Sequence, residues 1–341
     1  MEQSSEMMSL EMEFMAHWDA QRGVAPNLLL QVHVHRIREV LAFLEGEPLA
    51  AKPKAEIERI FRATNWLLDP GLFQEFVQVI GEVQFWAMAR ELGVELQRIP
   101  EQSKKTPDFR LAGAAGAAPC FEVKTLSVVD GVFNLGQIIE NSYNAQLSLS
   151  EQVASGRVVA TELTGVAPHG EVEDGKSMTT IICNLIKKAD GNIKSGQYAD
   201  APTCLVLNLM LIDGYYNGNA SLRPVAPGFP QKWNVRSGAY WSLAFGKPEQ
   251  LVFGIPEFEG KPSVEGVLGM EGILHAHPEI QALLLVVHGL GREPTIFGLK
   301  RESEEDRWLD ELESLSDAFF RLVGNNWNDD RDTMGWRLTN D

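Results

Sequence analysis

The stretch KTPDFRLAGAAGAAPCFEVKTL, Lys105 to Leu126, carries the most informative pattern in the chain. Two short apolar runs flank a turn rich in glycine and alanine, which predicts a pair of neighbouring strands. Asp108 follows Pro107 at the start of the first run. Glu122 and Lys124 stand two residues apart on the second run, so their side chains project from the same face of a strand. If the strands pair as a hairpin, the carboxylates of Asp108 and Glu122 converge.

These residue types suit a hard metal ion and a phosphate ester. Two carboxylates close together make a Mg²⁺ site, because Mg²⁺ prefers oxygen ligands and keeps several waters. The backbone carbonyl of Val123 adds a further oxygen in this arrangement. A lysine beside the metal, Lys124, can orient or deprotonate the attacking water and stabilise the charge that builds on a phosphate. Phosphodiester hydrolysis is the reaction that uses all of these parts.

Outward from this stretch, hydrophobic periodicity predicts an α/β core with a mixed central sheet flanked by helices. The chain before it is mostly helical, and the last of these helices ends at a glycine cap. After it come helices and continuous apolar runs typical of buried strands. The predicted elements are helices at about 4–20, 25–46, 53–69, 70–93, 135–156, 177–198 and 303–324, strands at 94–99, 107–112, 119–126, 203–213, 250–255, 282–289 and 294–300, and an irregular segment at 214–236.

Composition indicates a globular, cytoplasmic chain. It has 341 residues, 44% of them hydrophobic, and three cysteines, an odd number that fits a reducing compartment. No apolar run reaches the roughly 18 residues of a membrane span, so no membrane partner is expected. The net charge of −17 counts against a nucleic-acid binder. However, residues 1–22 and 301–341 supply most of that charge, and acidic ends can coexist with a positive cleft or contact a protein partner.

In order and spacing, the residues resemble the core motif of the PD-(D/E)xK nuclease superfamily, the restriction-endonuclease-like proteins. Pro107-Asp108 is followed after thirteen residues by Glu122-Val123-Lys124. The family order of helix, three strands, helix and strand matches the predicted order. The resemblance implies a metal-dependent nuclease in which Asp108 and Glu122 bind Mg²⁺, with Mn²⁺ as a substitute. Lys124 then assists the water, and Glu82 on the preceding helix supports the site.

The resemblance also implies a substrate and a domain plan. It favours DNA over RNA, endonuclease over exonuclease activity, a role in restriction or phage defence, and a homodimer. The plan is an N-terminal helical region at 1–66, a nuclease-like domain at 67–300 with an insertion at about 127–177, and an acidic C-terminal helix and tail at 301–341. A glutamine or lysine on the helix after the motif often completes such sites, and the sequence does not choose among Gln137, Gln146, Lys187, Lys188 and Gln197.

Other interpretations stay open at this point. An aspartate near a turn often only caps a backbone amide, and a Glu-x-Lys triplet often forms a solvated strand face. A nuclease fold can also lose catalysis and serve as a protein-binding or regulatory module. Binding of Mg²⁺ or Mn²⁺ that depends on Asp108 separates an enzyme from such a module.

Overall fold

The structure is a computed structural model. It describes the parts of the chain that include the motif and the strands around it. These are residues 8–20, 34–100, 106–113, 118–126, 135–159, 178–198, 201–209, 233–235, 239–253, 264–287, 294–301, 312, 315–320 and 336–338. By internal contacts the chain forms two compact units, one of Met1–Ala87 with Val132–Pro168 and one of Met88–Gly131 with His169–Asp341.

The first unit is helical. Its core is a cluster of aromatic rings, in which Phe14 stacks on Phe76 with ring centroids 5.9 Å apart and Trp66 lies 4.4 Å from Phe76. These side chains are fully buried, so aromatic packing stabilises the unit. Its helices are α1 (Leu10–Ala20), α2 (Val34–Gly46), α3 (Ala51–Phe61), most of α4 (Pro70–Glu91) and α5 (Leu135–Ala154), with 3₁₀ turns at Pro48–Ala50 and Trp66–Leu68.

The second unit is built on a six-stranded mixed sheet. Its strands are β1 (Leu96–Arg98), β2 (Phe109–Leu111), β3 (Cys120–Thr125), β4 (Thr203–Asn208), β8 (Ile280–Val287) and β9 (Thr295–Lys300), and they lie in that order across the sheet. The β1, β2 and β3 strands form an antiparallel meander, β3, β4 and β8 run parallel, and β9 returns antiparallel. The predicted mixed sheet of an α/β fold is therefore confirmed.

Helices cover the sheet and bury its central strands. Every residue of β4 is buried, as expected of a parallel strand covered on both faces. Leu205, Leu207 and Leu283 pack in one apolar cluster with side chains of the helices that follow β3. On the other face, Phe319 meets Phe121 edge-on at 5.7 Å. The helices of this unit are α6 (Met178–Asp190), α7 (Ala239–Phe245), α8 (Ile273–Ala276) and α9 (Ser316–Phe319).

Several elements differ from the sequence prediction. The helix predicted at 177–198 ends at Asp190, ahead of Gly191, and a 3₁₀ turn follows at Ser195–Gln197. Glycine favours this stop because it lowers helix stability in an interior position. Within the segment predicted as irregular, β5 (Trp233–Val235) pairs with β10 (Trp336–Leu338). A second two-stranded sheet joins β6 (Leu251–Phe253) to β7 (Val264–Val267), and β7, α7 and α8 were not predicted.

The predicted C-terminal helix lies partly outside the described residues. Its described part packs on the sheet, with Leu312, Leu315, Phe319 and Phe320 buried. The predicted domain boundaries stay predictions, although part of the expected insertion groups with the N-terminal helices, as Val132–Pro168. Among the described residues, no helix is both long and apolar enough to cross a bilayer.

Candidate functional site

The β2–β3 hairpin places Asp108 directly against the strand that carries Glu122. The Asp108 backbone N–H donates to the Phe121 carbonyl at 3.0 Å. In return, the Val123 N–H donates to Asp108 Oδ2 at 2.8 Å. The Asp108 side chain therefore continues the hydrogen-bond ladder between β2 and β3 by one step before the first residue of β2. A carboxylate held by a backbone donor in this way has a fixed orientation, with Oδ1 as its other oxygen.

Glu122 and Lys124 occupy two positions on a face of the sheet that is otherwise apolar. Their neighbours across the parallel pairing, Leu205 and Leu207, belong to the core beneath the helices. The Glu122 side chain is only 1% exposed, whereas Lys124 is 22% exposed. The Lys124 ammonium contacts Glu122 Oε1 directly. The predicted pair thus lies at the edge of a buried layer and not on a solvated strand face.

A third polar group completes the surroundings of Glu122. Gln197 Nε2 donates to the same oxygen, Glu122 Oε1, at 2.6 Å, and approaches the Thr106 carbonyl at 3.5 Å. Because Thr106 lies two residues before Asp108, Gln197 ties the approach to β2 to the carboxylate on β3. Of the five residues among which the sequence did not choose, Gln197 is the one that these contacts bring to Glu122.

The other oxygen of this carboxylate, Glu122 Oε2, is buried and has no hydrogen-bond partner among the described residues. The Gln197 Oε1 oxygen is also buried and has no hydrogen-bond partner among the described residues. Leaving a buried acceptor unsatisfied costs about 1 to 3 kcal/mol, so native proteins retain such atoms mainly where they have a use. Two orphaned oxygen acceptors beside a second carboxylate mark a place that would favour a proton or a cation.

Burial dominates the electrostatics of the site. Burial and, to a smaller extent, the nearby Asp108 carboxylate raise the pKa of Glu122 to about 7, against the opposing effects of Lys124 and Gln197. Glu122 is therefore a carboxyl that exchanges its proton near neutral pH. Perturbed carboxyl pairs of this kind are typical of functional sites, although structural networks also produce them.

The residues present fit a hard divalent cation. Asp108 and Glu122 offer carboxylate oxygens, and one of them, Oε2, lacks a partner within the described residues. The N–H and C=O of one strand residue point to the same side, so the Val123 carbonyl faces the edge where its N–H meets Asp108. All three groups are of the oxygen type that Mg²⁺ prefers. The described residues contain no group of three or more His, Cys, Asp or Glu side chains placed to hold a metal.

Glu82 lies in the middle of α4, half-buried, in the first compact unit. The hairpin with Asp108, Glu122 and Lys124 belongs to the second unit. The prediction that Glu82 supports this site therefore stays a prediction. Gln137 and Gln146 lie on α5 in the first unit, and Lys187 and Lys188 lie in the last turn of α6.

Sequence reasoning missed Tyr198, the residue next to Gln197. Its side chain is 4% exposed, and its hydroxyl has no hydrogen-bond partner among the described residues. Burial raises the pKa of Tyr198, and the charges of Glu122 and Asp108 add to this shift. A single tyrosine after a glutamine carries no signal in sequence, because its proximity to the hairpin depends on how the chain turns after α6.

The histidines His275 and His277 lie at and just after the end of α8, away from the β2–β3 hairpin in sequence. His277 Nε2 lies 2.7 Å from Asp190 Oδ1, and His277 Nδ1 lies 3.4 Å from Glu279 Oε1. These contacts join the end of α6 to the turn before β8. These contacts explain His277 as a packing and hydrogen-bonding residue of the second unit.

Comparisons of this chain with protein families, with curated proteins and with solved structures find no match.

Proposed function

We propose that the chain is a Mg²⁺-dependent endonuclease with a restriction-endonuclease-like core that hydrolyses phosphodiester bonds of DNA. The observation that carries the proposal is the buried Glu122 carboxyl. It lies beside Asp108, contacts the Lys124 ammonium and keeps one oxygen without a partner among the described residues. A carboxyl pair and a lysine on a hairpin edge supply the groups that phosphodiester hydrolysis requires.

Each residue has a separate part in this proposal. Asp108 and Glu122 would hold the metal through carboxylate oxygens, and the Val123 carbonyl would add a third oxygen. A bound Mg²⁺ would polarise the phosphate and lower the pKa of a coordinated water. The hydrogen bond from Val123 N–H fixes Asp108, and that from Gln197 fixes Glu122, so neither carboxylate has to reorganise.

Lys124 is the residue that would act on the water and the phosphate. Its side chain is partly exposed, so its ammonium can be reached from solvent while it contacts Glu122. From that position it can orient the attacking water and offset the negative charge that develops on the phosphate. Glu82 is proposed as a supporting carboxylate. The role in restriction or phage defence and the contact of a protein partner with the acidic ends stay predictions from the sequence.

The test is cleavage of supercoiled plasmid and single-stranded DNA in Mg²⁺ or Mn²⁺, comparing wild type, Lys124→Ala and Lys187→Ala. We expect metal-dependent nicking and linearisation that falls by at least about a hundredfold in Lys124→Ala, the usual scale for a general acid–base residue. Lys187, an exposed lysine at the end of α6, is the matched control and should keep its activity. Cleavage that is equal in the two lysine variants would overturn the assignment.

The second candidate function is a catalytically inactive nuclease fold that binds a protein. It accounts equally for the Glu122–Lys124 and Glu122–Gln197 contacts, since both can stabilise a fold without catalysis. Absence of cleavage by wild type on every DNA form, together with absence of metal binding that depends on Asp108, would favour this candidate.

A further inference from the structure

Arg110 lies on the same face of the sheet as the candidate metal site. It pairs with Cys120 across the β2–β3 hairpin, so the two side chains project from one face. Side chains alternate along β3, which places Glu122 and Lys124 on this face too. Glu122 is the diagonal neighbour of Arg110, and in such pairs the Cβ atoms are about 7 to 8 Å apart, within reach of a long side chain. Arg110 and Lys124 therefore lie on opposite sides of Glu122 along the strand.

This face of the sheet is covered over β4 and open over β1 and β2. On β4, Leu205 and Leu207 are buried beneath the helices. On β2 and the edge strand β1, Arg110 and Gln97 face each other across the strands, and both are exposed. Among the described residues, the surface that leads from solvent to Glu122 therefore runs over β1 and β2.

The guanidinium of Arg110 is held at one nitrogen and keeps the other two for a ligand. Its Nε donates to Gln97 Oε1 at 3.2 Å, which fixes the plane of the group. Within the described part of the chain, the two Nη atoms have no hydrogen-bond partner, and no carboxylate forms an ion pair with them. An arginine offers its N–H groups as a planar fork that binds two phosphate oxygens at once. Arg110 therefore presents an oriented, unused anion-binding group to solvent.

The charges on this face are arranged as a phosphodiester strand requires. Two cations, Arg110 and Lys124, flank Glu122, which with Asp108 makes up the candidate metal site. The chain carries a net charge of −17, so a polyanion needs local positive charge to approach it. Contacts to phosphates fix the position of a nucleic acid without reading its sequence. A phosphate beside the one at the metal site would meet the Arg110 guanidinium.

We propose that Arg110, oriented by Gln97, binds a DNA phosphate next to the one that is hydrolysed at Asp108 and Glu122. Arg110 contacts the substrate directly, and Gln97 is a positioning residue that acts through it. This phosphate subsite sets where the strand lies on the hairpin and does not depend on base sequence. The inference rests on the proposed nuclease function, because it assigns a substrate contact to the same site.

The test is the binding of a fluorescein-labelled DNA duplex in Mg²⁺, measured by fluorescence anisotropy between about 50 and about 200 mM salt. Lys124→Ala is the parent protein, because its expected cleavage is too slow to consume the duplex. Adding Arg110→Gln should weaken binding about tenfold, the usual effect of a hydrogen bond to a charged group. It should also reduce the slope of log affinity against log salt by about 1. Arg157→Gln removes an exposed arginine of the first unit and should leave both quantities unchanged.

Two further variants of the parent separate a phosphate contact from a role in pairing β1 with β2. Arg110→Lys keeps the positive charge and should keep the salt slope. Gln97→Ala keeps the charge but frees the guanidinium, so binding should weaken about threefold at an unchanged slope. A purely structural role would not make the salt slope follow the charge at position 110. Circular dichroism on each variant establishes that it is folded.

The outcomes distinguish this subsite from the nuclease activity. If the parent binds DNA and folded Arg110→Gln binds with the same affinity and slope, the subsite is overturned and the nuclease proposal stands. A loss of slope in Arg110→Lys as large as in Arg110→Gln would also overturn the subsite. DNA binding that responds to Arg110→Gln, with no cleavage by wild type, would support the subsite and overturn the nuclease activity. A parent that binds no duplex would overturn both.

Discussion

Glu122 is the central residue of the candidate site, because its carboxyl is an ionisable group held in a mostly apolar layer. Its carboxyl is buried, receives hydrogen bonds on one oxygen from Lys124 and Gln197, and shares its surroundings with Asp108. Burial away from solvent and the nearby Asp108 carboxylate disfavour the ionised form of Glu122, while the lysine favours it, and the pKa of about 7 reflects that balance. Such a group is easily moved between its two protonation states by a ligand.

The raised pKa of Glu122 predicts how stability depends on pH in metal-free buffer. A glutamate has an ordinary pKa of 4.5, and the folded value is about 7, so the folded state holds the proton more tightly. The stabilising contribution is fully present below pH 4.5 and is lost as the pH rises through 7. Between pH 4.5 and 8, wild type should therefore lose on the order of 2 to 3 kcal/mol relative to Glu122→Gln.

Urea unfolding of both proteins in EDTA, at a series of pH values, measures this difference. Glu91→Gln replaces an exposed glutamate at the end of α4 and is the control, with differences from wild type within about 0.5 kcal/mol. A stability difference between wild type and Glu122→Gln that does not change with pH would contradict the assignment of Glu122 as a carboxyl that titrates near neutrality.

At the scale of elements, strands carried a clear signal in sequence and the turns that complete the site did not. The β2–β3 hairpin was predictable because two apolar runs flank a glycine-rich turn. The buried β4 and β8 strands were predictable because they are continuous apolar runs. Gln197 could not be chosen, since it is 75 residues from Glu122 and follows a helix that ends sooner than its periodicity indicates. Short elements such as β7 and α8 have too few residues for any period to emerge.

The packing of α9 on β9 makes a second prediction, at Gly298. A Cβ at this position would lie 2.4 Å from the Phe319 carbonyl oxygen and 2.9 Å from Leu284 Cδ2. Both are closer than side-chain carbons approach, and one partner is backbone. Gly298→Ala should therefore destabilise the protein by about 1 to 3 kcal/mol, the usual cost of overpacking a core.

Urea unfolding again measures the effect. Gly269→Ala is the matched control in the same unit, because its Cβ would meet nothing within 4 Å. If Gly298→Ala unfolds at the same urea concentration as wild type and Gly269→Ala, α9 does not pack on the sheet as described.

At the scale of the whole molecule, the sequence predicted the α/β class and the mixed sheet but not the grouping of the chain. Hydrophobic periodicity reports local structure, and it carries no information on which helices share a core. The segment at 132–168 follows β3 in sequence, yet by contacts it belongs with the N-terminal helices. The acidic C-terminal end, residues 301–341, lies largely outside the described residues. The part of the two acidic ends in binding a partner stays a prediction from charge.

A metal site at Asp108 and Glu122 is best tested by the binding of Mn²⁺ to the whole chain, monitored by electron paramagnetic resonance of the free ion. It compares wild type with Asp108→Asn and with Asp190→Asn, a control that removes an exposed carboxylate elsewhere in the same unit. We expect wild type and Asp190→Asn to bind Mn²⁺ alike, and Asp108→Asn to bind it at least tenfold more weakly. Equal binding by all three proteins, or none by wild type, would contradict a metal site built on Asp108 and Glu122.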